Sequence, residues 1–79
     1  MIIKILGTGC SKCDRLEKET VKALDDLGAE ADVQKISNMN EIMEYDVMIT
    51  PALVINDKVK AAGKIPKAEE LRKLIQEEL

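Results

Sequence analysis

Ile2-Ile3-Lys4-Ile5-Leu6-Gly7-Thr8-Gly9-Cys10-Ser11-Lys12-Cys13 is the stretch on which the reading of this chain turns. Its first five residues are an apolar run of strand length, broken by Gly-Thr-Gly, and a helical pattern begins at Cys10 or Ser11. A Cys-x-x-Cys pair at the opening of a helix has its first sulfur near unpaired backbone N–H groups and the positive end of the dipole, which favours thiolate over thiol. Dithiol–disulfide chemistry is the leading implication. Gly7-Thr8-Gly9 resembles the start of a phosphate loop but lacks the Gly-Lys-Ser/Thr ending, so it reads as a turn that brings backbone close around Cys10.

From this point the helix runs to about residue 27, where Gly28 supplies the stop. Cys13, Leu16, Thr20, Ala23, Leu24 and Leu27 recur at three- and four-residue steps, with Lys12, Arg15, Lys18, Glu19, Lys22 and Asp26 on the other side. Cys13 therefore belongs to the buried face and Cys10 to the helix tip. An exposed attacker and a sheltered second thiol are what an exchange catalyst requires.

Residues 29–36 read as a short strand with Ala31 and Val33 on one face, although Lys35 and Ile36 break the alternation. Asn38 with Glu41 three positions on opens a short helix to about Tyr45. Thr50-Pro51 ends that region. Ala52-Leu53-Val54-Ile55 is a buried-strand run, Asn56-Asp57 a two-residue turn, and Lys58-Val59-Lys60-Ala61-Ala62 an alternating return strand with an exposed edge. Gly63 closes it. Pro66 suits a first helical position, and Ala68, Leu71, Leu74, Ile75 and Leu79 form the apolar stripe of a last helix. The order β-α-β-α-β-β-α predicts a four-stranded mixed α/β sheet flanked by three helices, with the first two strands parallel and the hairpin antiparallel.

The chain has 79 residues and reads as a single domain, which at this size buries only about 60–65% of its unfolded surface. Tyr45 is its sole aromatic, so aliphatic side chains and methionine fill the interior; Met39, Met43 and Met48 are expected as core filler. Charged residues make up 34% with a net charge of −3 and both signs interspersed, which argues against nucleic acid or anionic lipid as a partner. No apolar run is long enough to cross a membrane, and residues 1–6 are too short for a signal peptide, so a soluble, cytoplasmic protein is expected, as a monomer. The pairs Glu69-Glu70 and Glu77-Glu78 read as solvated, the second prone to fray at a helix C-terminus.

The chain has two cysteines and no histidine. A disulfide closing so short a loop constrains the unfolded chain by only about 2 kcal/mol, so stapling is a poor reason for the pair. Without histidine there is no Cys–His nucleophile pair and no imidazole base. Three functional classes stay open: a redox-active dithiol, a soft-metal carrier holding Cu(I) or Zn on two thiolates, and an interaction module that senses redox state. The order of elements disfavours the metal carrier, since copper chaperones run β-α-β-β-α-β.

Cys10-Ser11-Lys12-Cys13 after the first strand, Tyr45-x-Val47-x-x-x-Pro51 before the third, and Gly63 after the hairpin resemble the matching segments of the thioredoxin and glutaredoxin family, most closely its small redox-active disulfide proteins. The resemblance covers essentially the whole chain. It implies a thioredoxin fold with a cis Thr50-Pro51 bond beside the cysteines. It also implies an intrinsic redox-active disulfide with no other cofactor, catalytic Cys10 and Cys13, and substrate contacts at Thr50, Pro51, Gly9 and Lys12. Partners would be protein disulfides and a thioredoxin-reductase-like donor. Lys12 either lowers the thiolate's energy or is simply an exposed lysine. Departures narrow the expectation. Gly9 stands where thioredoxins carry Trp, Lys4 stands where they bury an Asp that relays the second thiol's proton, and Ala62-Gly63-Lys64-Ile65 replaces a glutathione-binding Gly-Gly and acid. Glutathione use is accordingly not expected.

Overall fold

The computed structural model describes residues 1–7 and 11–79. Along it run β1 (Ile2–Leu6), α1 (Ser11–Leu27), β2 (Asp32–Ile36), α2 (Met39–Glu44), β3 (Ala52–Ile55), β4 (Lys58–Ala62) and α3 (Ala68–Gln76). The sheet order is β2-β1-β3-β4, with β1 parallel to β2 and antiparallel to β3, and β3 antiparallel to β4. This is the mixed α/β architecture that the patterning predicts.

Period-2 alternation divides the two central strands between two apolar layers. Ile3 and Ile5 of β1, with Leu53 and Ile55 of β3, pack under Cys13, Leu16, Ala23 and Leu24 of α1 and Leu71 and Ile75 of α3. Leu6, Ala52 and Val54 point the other way, against Ile42 of α2 and Val47. All four β3 residues are buried because both of its faces are covered. Thr20, the buried polar side chain of α1, donates its hydroxyl to the Leu16 carbonyl at 2.7 Å.

Local chemistry sets the element ends. Gly28, at φ +64°, ends α1 with both bonds of a Schellman cap: its N–H to Asp25 O at 3.1 Å, and Ala29 N–H to Leu24 O at 3.0 Å. Asn38 caps α2, its Oδ1 accepting from Asn40 N at 2.8 Å and Glu41 N at 3.3 Å. Asn56 and Asp57 both adopt positive φ, +50° and +65°, as a type I′ hairpin turn demands.

Several expectations are corrected. The second strand begins at Asp32 rather than residue 29, because the Schellman cap takes up Ala29. Pro66 is buried but lies outside α3, which starts at Ala68 behind an extended Lys67. Leu79 is past that helix's end and exposed, so it is not part of the stripe. The return strand does not alternate strictly. Leu53 pairs with Ala61 and Val54 with Val59, so Lys60 is an extra residue that turns Val59 and Ala61 to opposite faces.

The methionines are the largest correction. Met39, Met43 and Met48 are exposed rather than core filler, Met48 at 95%. The layer beneath α2 is small, and Ile42, Val47 and Tyr45 already fill it. Glu77 is exposed as expected, but the Glu78 side chain is only 10% exposed. Lys60 pairs with Glu78 at 3.1 Å and Glu77 at 3.5 Å, and Lys58 with Glu78 at 3.3 Å, fastening the tail to the β4 edge. Among the described residues no helix is long and apolar enough to cross a membrane.

Candidate functional site

Ile3 and Ile5 begin a column of alternate residues on the α1 face, and Gly7 continues it where the strand ends. With only a hydrogen there, the Cys13 side chain occupies the place that a side chain at residue 7 would take: a Cβ built on Gly7 would overlap Cys13 Sγ and come within 3.3 Å of Cys13 Cβ. The same hypothetical atom lies 4.0 Å from Thr50 Cβ. Gly7 thus brings the buried thiol of α1 and the Thr50 side chain to one point at the end of the sheet. Its own N–H is held by Ile36 O at 2.9 Å. The sequence reading placed this glycine in a turn around Cys10, which lies outside the described residues; the structure shows it against Cys13. The period-2 spacing of Ile3, Ile5 and Gly7 was the signal that could have shown it.

The Thr50–Pro51 peptide bond is cis, and Pro51 is buried. Pro51 O accepts from Gly63 N at 2.9 Å. Gly63 has φ +75°, and a Cβ on it would approach Ile49 Cγ2 to 2.7 Å, so its lack of a side chain also makes room for the segment before Thr50. Met48 and Ile49, 95% and 63% exposed, leave an apolar rim beside Thr50.

The candidate residues therefore fall into three groups. Cys13, Thr50 and Pro51 lie around the end of β1, brought there by α1 and by the loop before β3. Lys12 is exposed on the first turn of α1. Cys10 and Gly9, with Thr8, lie outside the described residues.

Lys4 lies on the opposite face from Cys13. It shares the α2 side with Leu6, and its Nζ donates to Tyr45 Oη at 2.7 Å; the Tyr45 hydroxyl faces Asp57 Oδ1 at 3.4 Å. That hydrogen bond from Lys4 to Tyr45, with help from Asp57 and Glu41, holds the Lys4 amine above the ordinary lysine value despite partial burial. The ammonium is 5.4 Å from the ring centre, the distance of a group beyond the hydroxyl rather than over the ring face. Lys4 is thus committed to the α2 layer and does not take the place of a proton relay to Cys13. Tyr45 packs on that layer, and its hydroxyl is the partner that the sequence did not reveal.

On the β2 side, a cleft of about 230 Å³ reaches Cys13 between Ile5, Gly7, Lys35 and Ser37. The parallel register explains its lining, since Lys35 stands beside Ile5 and so shares the α1 face. Lys35 Nζ pairs with Asp14 Oδ1, next in sequence to Cys13, and lies 3.7 Å from Glu17 Oε1. The hydrogen bond holds Asp14 below the usual carboxylate range and Lys35 above the usual amine value. Sequence reading saw Lys35 only as a break in alternation.

The thioredoxin domain profile matches residues 1–76. The chain belongs to the thioredoxin domain family. It is 39% identical over 72 residues to the thioredoxin of Methanocaldococcus jannaschii, covering 91% of this chain and 83% of that protein. With the thioredoxin of Methanothermobacter thermautotrophicus it shares 36% over 75 residues, covering 95% and 97%. The thioredoxin domain family is one of thiol–disulfide oxidoreductases.

Proposed function

We propose that this thioredoxin-domain protein is a protein disulfide oxidoreductase whose redox couple is the Cys10–Cys13 dithiol and disulfide. The observation that carries the reading is the seating of the Cys13 thiol against Gly7 beside Thr50, in a chain whose sequence puts a second cysteine three residues before it. Cys10, as thiolate, attacks a substrate disulfide; Cys13 then displaces the substrate sulfur and leaves Cys10–Cys13 oxidised. A donor of the thioredoxin-reductase kind returns two electrons. No further cofactor takes part.

Thr50 and Pro51 offer the backbone along which an extended substrate segment docks, with Met48 and Ile49 as its apolar flank and Gly9 and Lys12 on the cysteine side. Gly9 stands in the sequence where thioredoxins carry Trp, so the recognition of substrate differs from theirs. The protein acts as a monomer in the cytoplasm, on protein disulfides rather than on glutathione.

Reductase assays on a protein disulfide test the reading. Cys10→Ser abolishes turnover, and Cys13→Ser accumulates a mixed disulfide visible by non-reducing mass spectrometry. Normal turnover by either variant overturns it, and tight stoichiometric Cu(I) without a reversible disulfide supports the metal carrier instead. The direction of electron flow follows from the potential: roughly −270 mV or below marks a reductant, and well above roughly −200 mV an oxidant or isomerase.

A further inference from the structure

Sulfur carries the side-chain chemistry that peroxide can reach in this protein: two cysteines and four methionines, with no histidine or tryptophan. Once the Cys10–Cys13 pair of the proposed function has closed as a disulfide, the methionines are what remain. The fold ranks them. Met1 is partly buried against the core on the α1 side. Met39 and Met43 stand on α2, 57% and 64% exposed. Met48 is 95% exposed, and both of its neighbours are anchored: Val47 is buried in the α2 layer, and the Ile49 side chain turns toward Gly63. Met48 is therefore held out in solvent two residues before Thr50, on the edge along which the substrate segment is proposed to dock.

A thioether open to water is a nucleophile toward hydrogen peroxide. The sulfur gives an electron pair to one peroxide oxygen, the S–O bond forms as the O–O bond breaks, and the departing hydroxide takes the remaining proton and leaves as water. The thioether is oxidised by two electrons and the peroxide is reduced. The sulfoxide is polar and accepts hydrogen bonds where a flexible apolar side chain stood. A substrate segment that covers it strips water from that oxygen without replacing the lost hydrogen bonds.

We propose that Met48 is a site of modification by peroxide, and that its sulfoxide weakens the docking of protein disulfides along Thr50 and Pro51 while leaving the cysteine chemistry intact. The inference rests on the proposed function and adds a regulation of its docking edge. A donor that reopens the cysteine pair does not erase this mark. Methionine sulfoxide reductases, one for each epimer, return it to the thioether.

The test starts from the full chain with its cysteines closed as the disulfide, treats it with hydrogen peroxide, and maps the gain of oxygen by peptide mass spectrometry. Met48 is oxidised ahead of Met43 and Met39, and Met1 is last. After catalase has removed the peroxide, reductase assays show the KM for a protein disulfide raised about fivefold with kcat unchanged, the mark of lost binding rather than lost chemistry. A small aromatic disulfide, which has no segment to lie beside Met48, is reduced at an unchanged rate. Methionine sulfoxide reductases restore the KM. Met48→Leu has the same KM before and after peroxide, and Met43→Leu still responds. Met48→Gln, polar without oxidation, has a raised KM from the start. Equal oxidation of the three surface methionines, an unmoved KM with Met48 oxidised, or an equal rise in Met48→Leu overturns the proposal while wild-type turnover stands. Absence of turnover in the untreated wild type overturns the function itself.

Discussion

Gly7 is where one hydrogen atom decides the site. Any larger residue there competes with Cys13 Sγ for the same space. Overpacking a filled site costs about 1–3 kcal/mol, so Gly7→Ala should lower stability by that amount in denaturant unfolding. The clash has one partner, which makes the claim sharper. Gly7→Ala combined with Cys13→Ala should recover most of the loss, a coupling of about 1 kcal/mol or more; additive effects would show that the strain lies elsewhere. Lys4 gives the complementary lesson. Its position along the chain is that of the family's buried Asp, which left either no relay or a different role for Lys4, and the pleat of β1 turns it to the other layer, where its partner is Tyr45.

Among the elements, the junction of β4 with the end of α3 is an electrostatic fastening with a defined pH window. Lys60 first, then Lys58, holds the Glu78 carboxyl below its ordinary value, so the stability it contributes is present above the ordinary carboxylate range and is lost as pH falls through the lowered value. Lys60 is held above the ordinary amine value chiefly by Glu78, so its contribution is present below that ordinary value and is lost as pH rises through the raised one. Amide exchange should report both limits: protection in the last turn of α3 and along β4 falls in acid for the wild type, while Glu78→Gln exchanges faster at pH 7 and changes less on acidification. A Glu78→Gln profile matching the wild type at pH 7 would dismiss the fastening. The cap of α2 is a second local device. Asn38→Ala should cost about 1 kcal/mol, measured by thermal or urea unfolding.

At the scale of the whole molecule, β1 and β3 tie the two layers together, because alternate residues of the same strands fill both. Truncation in either layer should therefore lower one shared transition. Ile75→Ala beneath α3 and Ile42→Ala beneath α2 are each expected to cost about 2–5 kcal/mol, with Tyr45 fluorescence and far-ultraviolet circular dichroism giving coincident midpoints. Separate midpoints for the two probes would show that the layers unfold independently.

The sequence by itself determined what depends on near neighbours along the chain: the order of elements, the α1 face that carries Cys13, the Asn38 and Gly28 caps, and the two-residue turn at Asn56 and Asp57. Periodicity and capping are local, so they survive in a linear text. Only the tertiary structure decided which face of a strand meets which helix, because a pleat or a single bulge reverses it, as Lys60 does for Val59 and Ala61. That is why Met39, Met43 and Met48 came out on the surface, why Lys4 faces Tyr45 rather than Cys13, and why Gly7 and Lys35, 28 residues apart in the chain, line one cleft with Cys13.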